Sequence, residues 1–156
     1  MTVTLVIPTA IVAGAGGVEV GWGLPDAAAV LPTLAGAALI AAGVVLIART
    51  VRLLARVGHG TLAPWDPTSR LVVRGPYRHV RNPMISGVLA VLLGEALLLG
   101  SPGLAIWFAA VLLLNALYLP LVEEPGLVRR FGEDYERYRD AVPRWIPKRR
   151  AFEDDS

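Results

Sequence analysis

Met84-Ile85-Ser86-Gly87-Val88-Leu89-Ala90-Val91-Leu92-Leu93-Gly94-Glu95-Ala96-Leu97-Leu98-Leu99, then Gly100-Ser101-Pro102-Gly103, then an apolar run from Leu104 to Val122, contains a single charged side chain, Glu95. Two apolar runs split by a Gly-Ser-Pro-Gly break read as a helical hairpin with almost nothing outside the apolar phase. The first run, about 84–99, rises roughly 24 Å at helical geometry, short for a bilayer crossing. The second, about 104–122, is long enough.

Working outward, the same segregation of charge holds for the whole chain. Only 18% of its 156 residues are charged and 54% are hydrophobic, where a soluble domain carries about a quarter charged. From Met1 to Ala48 the charges are Glu19 and Asp26, and nearly all the rest lie in 49–81 and 123–155. A bilayer imposes that pattern, because a charge at its centre costs a few kcal/mol. Two further spans follow, at about 3–20 and 31–48. Between them Gly23, Pro25, Asp26 and Pro32 read as a turn. The expected fold class is all-α: a polytopic membrane protein of about four transmembrane helices plus a C-terminal amphipathic interfacial helix, in one membrane domain over 1–156.

Arginine supplies all but one of the fifteen basic residues and sets the topology. The polar loop 49–82 holds Arg49, Arg52, Arg56, Arg70, Arg74, Arg78 and Arg81 against one acid, Asp66, and the C-terminal segment 123–156 adds eight more basic residues. The short turns near Asp26 and Pro102 have no Lys or Arg. By the positive-inside rule the loop and both termini are cytoplasmic, in a cell (inner) membrane. Arginines that flank apolar spans need no nucleic acid as partner; orientation and anionic head groups account for them. Arg49, Arg52 and Arg56 share one face of a helix that prolongs the second span. Leu127, Phe131, Tyr135, Tyr138 and Val142 recur at spacings of three or four, which predicts one amphipathic helix from Glu123 to about Val142.

No cysteine is present and there are two histidines, so thiol chemistry is excluded and no metal site is expected. Gly14-Ala15-Gly16-Gly17 follows no strand pattern and reads as helix packing, not as a nucleotide loop. Asn82-Pro83 is a helix start, with an asparagine cap and proline at the first position, and its free amides suit an anionic group. Glu123-Glu124 repel each other and require a cationic partner, arginine or a bound cation; the alternative is a solvated helix N-terminus. Glu95 is either functional or hydrogen-bonded between helices. His79 reads first as an interfacial or hydrogen-bonded histidine, second as catalytic.

Gly75-Pro76-Tyr77-Arg78-His79-Val80-Arg81-Asn82-Pro83-Met84, the hairpin, Glu123-Glu124, Phe131-Gly132-Glu133-Asp134-Tyr135-Glu136-Arg137-Tyr138 and Val142-Pro143-Arg144-Trp145-Ile146-Pro147 resemble, in order and spacing, the isoprenylcysteine carboxyl methyltransferase and phospholipid methyltransferase superfamily. The resemblance runs over roughly 60–147. It implies an integral membrane methyltransferase that takes S-adenosylmethionine (product S-adenosylhomocysteine) from the cytosol and a lipophilic acceptor from the bilayer. Carried over by position, it implies cofactor contacts at Tyr77, Asn82, Pro83, Met84, Ile85 and Glu123, with weaker support at Ser69, Leu71 and Val72. Glu124 enters as the second acid, Arg81 on charge as partner of the cofactor carboxylate, and Gly87 as the end of the motif. No catalytic base is assigned.

Three positions depart from the family pattern. The usual Arg-His-Pro-x-Tyr reads Arg81-Asn82-Pro83-Met84-Ile85, replacing both histidine and tyrosine. A substrate-binding arginine four residues before the first glutamate is Leu119 here. A non-catalytic binding or assembly protein that keeps the fold is the second reading, and a transporter-like bundle a distant third. Membrane lipids are the expected partners, and Gly-rich faces permit a homodimer.

Overall fold

The computed structural model describes residues 21–23, 26–57, 71 and 73–153. The span expected at 3–20, the loop residues 58–70 and Val72 lie outside them.

The described residues form helices and no strand: α1 (Asp26–Val57), a 3-10 turn (Gly75–Arg78), α2 (Pro83–Leu99), α3 (Pro102–Tyr118), a π-helical turn (Leu119–Glu123), α4 (Glu124–Phe131) and α5 (Glu133–Ala141). Two stretches are long and apolar enough to cross a membrane, Ala28–Arg56 and Pro102–Phe131; Pro83–Leu99 is a shorter apolar helix. The second span and its basic extension are thus one helix, as the arginine spacing predicts. It starts at Asp26, earlier than residue 31, and contains Pro32 at the loss of the one bond its missing N–H would make to Ala28.

The chain divides into two compact units, one of 1–44 and 87–115, the other of 45–86 and 116–156. In the first, Val88, Leu89, Val91, Leu92, Ala96, Leu104 and Val111 form the core. Small residues set how closely its helices approach. A Cβ on Gly36 would lie 2.6 Å from the Gly94 carbonyl, and one on Gly43 would lie 2.6 Å from the Gly87 carbonyl. Backbones that touch in this way rest on dispersion and not on side-chain burial, as helices do in lipid. The hairpin turn is built as its residues suggest: Gly100 takes φ +59, and the Ser101 carbonyl accepts from Ala105 at 3.1 Å just before Pro102.

The outward faces are apolar. Leu31 is 76% exposed, Ile106 71% and Leu121 70%, in company with Val44, Val45, Leu113 and Leu114. In water such patches exceed what a monomer tolerates. Polar groups on these helices turn inward on their own backbone: Thr33 Oγ1 donates to the Ala29 carbonyl, Thr50 Oγ1 to Leu46 and Asn115 Nδ2 to Val111, each at 2.8 Å. Satisfaction within the helix is what a lipid surrounding requires.

The second unit corrects one expectation. In place of a single helix from Glu123 to Val142 there are two, broken at Gly132, whose φ of +57 and ψ of −135 suit glycine and almost nothing else. Its N–H closes α4 on the Val128 carbonyl at 2.8 Å, and its carbonyl opens α5 by accepting from Tyr135 at 3.1 Å. The predicted apolar stripe survives the break. Tyr135, Tyr138 and Val142 are buried with Leu127, Val128 and Phe131, and with Leu71, Val73 and Phe152 from elsewhere, so the stripe faces protein. Beyond α5 the tail runs back along 78–86. Arg81 N–H donates to Pro143, Lys148 N–H to His79 and Phe152 N–H to Arg78, at 2.9, 3.0 and 2.9 Å, and Ser86 Oγ donates to the Trp145 carbonyl at 2.9 Å.

Candidate functional site

Gly75 adopts φ +54, which lets the chain turn sharply into Pro76. A 3-10 turn follows, with Tyr77 N–H donating to Arg74 at 3.2 Å and His79 N–H to Pro76 at 3.0 Å. Tight turns send successive side chains to different sides. The Tyr138 hydroxyl fixes the turn by donating to the Tyr77 carbonyl at 2.7 Å. After Arg81 the chain enters α2 at Asn82-Pro83, where Ser86 N–H donates to the Asn82 carbonyl at 2.9 Å.

The other half of the site is prepared by proline. In a regular helix Pro125 would press against the Leu121 carbonyl and leave it without a donor. Here the helix widens, and Glu124 N–H donates to the Leu119 carbonyl, five residues back. Such wide turns recur at functional sites, and this one ends on the acidic doublet. The two carboxylates then take different surroundings. Glu124 is buried, and its Oε1 accepts from Arg81 Nη1 at 3.1 Å and Arg144 Nε at 2.7 Å. Glu123 lines a cavity of about 320 Å³.

That cavity gathers most of the residues singled out from sequence: Leu71, Tyr77, Arg81, Asn82, Pro83, Met84, Ile85 and Glu123. Glu124 is not among its lining residues. It pairs with Arg81 and Arg144, so of the two partners open to the doublet, arginine or a bound cation, Glu124 takes arginine. Gly87 is not in the wall either; its carbonyl faces Gly43, a packing position. Val72 lies outside the described residues. Five lining residues were not singled out as site residues, namely Leu54, Leu127, Phe131, Tyr135 and Tyr138. Four of them carry the apolar stripe of the tail, a signal that gives a buried face but not what the face encloses.

Electrostatically the cavity is a partly apolar chamber whose described lining holds one carboxyl group, of Glu123, and one guanidinium, of Arg81. Burial, and then the Glu123 charge, pushes the Tyr77 hydroxyl up to about 12. Burial likewise raises Tyr138. Tyr135 is raised by burial first and Glu124 second, with a hydrogen bond from Arg81 pulling the other way. All three therefore act as neutral donors near pH 7. The Arg81 side chain is only 10% exposed, and its buried Nε has no hydrogen-bond partner among the described residues. A buried guanidinium edge left open asks for an acceptor.

His79 looks elsewhere. Its Nδ1 lies 2.8 Å from the Lys148 carbonyl. Since a carbonyl only accepts, Nδ1 carries the hydrogen and the ring is a structural, hydrogen-bonded one, as its first reading had it. Glu95 stands on α2 in the first unit, and its buried Oε2 has no partner among the described residues.

The chain matches the phospholipid methyltransferase family over residues 31–134. It is 39% identical over 77 residues to a protein-S-isoprenylcysteine O-methyltransferase from Schizosaccharomyces pombe (strain 972 / ATCC 24843), an alignment that covers 49% of this chain and 33% of that protein. The chain thus spans about a third of the length of that relative. No solved structure matches it.

Proposed function

The chain belongs to the phospholipid methyltransferase family, and on that footing we propose that it transfers a methyl group from S-adenosylmethionine to an oxygen or nitrogen of a lipophilic acceptor drawn from the bilayer. One observation carries the reading: a single cavity joins Tyr77 and the Asn82–Ile85 helix start to Glu123, residues some forty positions apart that the resemblance assigns to one cofactor.

The lining fits that cofactor. Glu123 offers a carboxylate to the α-ammonium or a ribose hydroxyl, and the open Arg81 Nε offers a donor to the carboxylate. Met84, Ile85, Leu127 and Phe131 provide apolar surface for a purine. When bound, S-adenosylmethionine supplies a methyl group already activated by its positive sulfur. The chain's part is then to hold the acceptor in line and to keep water away. Among the described residues no histidine lines the cavity, and Tyr77 stays protonated far above neutral pH, so neither an imidazole nor a phenolate there removes a proton. Glu124 keeps Arg81 in place.

In this reading the protein is one membrane domain with spans near 3–20, 31–48, 84–99 and 104–122, both termini cytoplasmic, and the C-terminal segment covering the cofactor from that side. Incubating the purified protein in membranes of its host with methyl-labelled S-adenosylmethionine, followed by lipid extraction, tests it: a labelled lipid is the expected product. A second reading, a binding or assembly protein that keeps the fold, is favoured by Asn82 and Ile85 in place of histidine and tyrosine. Absence of labelled product together with no thermal stabilisation by millimolar S-adenosylhomocysteine would select it.

A further inference from the structure

The turn 75–81 has two sides, and the cofactor cavity uses one. Tyr77 and Arg81 line that cavity, whereas Gly75, Pro76, Arg78, His79 and Val80 line a second, larger hollow of about 660 Å³. No described residue lines both. The opposite wall of the second hollow is the last part of α1, with Arg49, Arg52 and Arg56 on one face and Leu46 and Leu53 between them.

Its charge is unbalanced. Among the described residues no carboxylate lines it. Among the described residues Arg49, Arg52 and Arg56 form no ion pair or hydrogen bond. Arg78 donates through Nε to the Phe152 carbonyl at 2.7 Å, while its Nη2 stands 3.8 Å from the exposed Glu153 carboxylate, a pairing of little strength. Like charges one turn apart on a helix repel. A groove that collects four guanidinium groups against one weakly held acid among the described residues calls for neutralisation from outside. The guanidinium fork suits phosphate oxygens better than any other common anion it meets at a membrane.

The apolar part of the wall says what the phosphate is attached to. Leu46, Leu53, Val80 and Pro147 share the wall with the arginines, and Val45, next to Leu46 on α1, is an exposed apolar residue. The geometry points to a binding site for the phosphate-bearing head group of an anionic lipid. Its head sits among Arg49, Arg52, Arg56 and Arg78, and its chains lie along α1. The occupant is a resident lipid and not the methyl acceptor, and the site stands whether or not methyl transfer is established.

The test uses the full chain purified in mixed micelles of phosphatidylglycerol and phosphatidylcholine at equal amounts, with bound lipid counted by mass spectrometry after repurification. The parent retains phosphatidylglycerol preferentially. Each arginine near a lipid surface contributes about fivefold in affinity, ~1 kcal/mol, so R49Q/R52Q/R56Q lowers retention by on the order of a hundredfold. R149Q/R150Q, which removes charge from exposed positions outside the groove, changes it less than twofold. Thermal melting of both variants at the parent temperature shows that neither has misfolded. Millimolar inorganic phosphate added during repurification separates the sources. Retention that resists it identifies lipid phosphate, and loss of phosphatidylglycerol from the parent at millimolar phosphate overturns the lipid as occupant in favour of free phosphate. Equal retention of the two lipids by the parent, or equal losses in the two variants, overturns the site.

Discussion

Replacing Glu124 by alanine isolates the clamp on which the cavity rests. The carboxylate is 11% exposed, Arg81 beneath it 10%, and Arg144 27%. Arg144 can turn to water once released, and its loss alone costs under about 1 kcal/mol. Arg81 cannot. With Nε already lacking a partner, loss of Glu124 leaves a buried guanidinium without counter-charge, which costs about 3–5 kcal/mol. For a chain of this size each kcal/mol lowers the melting temperature by about 2–4 °C, so Glu124→Ala should melt roughly 6–20 °C below the parent. Glu124→Gln, which keeps an acceptor oxygen but no charge, should fall between the two. The assay is thermal unfolding in non-ionic detergent, with Arg144→Gln alongside as the small-effect reference. A Glu124→Ala protein that melts within 2 °C of the parent would refute the clamp, and with it the division of labour between the two adjacent acids.

Gly36→Ala places a methyl 2.6 Å from the Gly94 carbonyl and the Leu98 amide nitrogen. Backbone cannot yield as a side-chain end would, so a loss of about 1–3 kcal/mol is expected, read as a lowered melting temperature; no change would mean that α1 and α2 do not touch there. Tyr77 ionises near pH 12 in the folded chain, against 10.0 ordinarily. Its contribution to stability is complete below pH 10 and is lost as pH rises through 12. Spectrophotometric titration should show Tyr77→Phe removing a late-ionising phenol; removal of one titrating near 10 would contradict the burial. Tyr138→Phe deletes the hydroxyl that holds the Tyr77 carbonyl, for about 1 kcal/mol and weaker S-adenosylhomocysteine binding, measured by calorimetry; unaltered affinity would show that the turn does not need this support.

Much of the helical layout could be read directly from local pattern. Apolar run length places α1, α2 and α3, and Gly100-Ser101-Pro102 marks the turn, because each depends on residues close in sequence. Gly132 was harder. One glycine inside an otherwise periodic stretch costs a helix only about 1 kcal/mol, so spacing alone favours continuity, and the break is decided by the packing of Tyr135 and Tyr138 against Leu71, Val73 and Phe152. The return of the tail along 78–86 is invisible in sequence, since it is made by backbone groups that every residue possesses. The cavity wall was legible at Tyr77, at Asn82 to Ile85 and at Glu123 through resemblance. The opposite roles of Glu123 and Glu124 were not, because they follow from the wide turn at 119–123, which Pro120 and Pro125 permit but do not announce.

Calorimetric titration of S-adenosylhomocysteine into the detergent-solubilised parent and Glu123→Gln decides the matter most directly. A charged hydrogen bond contributes about 1.5–3 kcal/mol, so the parent should bind and the variant should bind at least about tenfold more weakly with its melting temperature unchanged. A parent that takes up no ligand, or a variant that binds as tightly as the parent, would contradict the assignment of this cavity to the methyl donor.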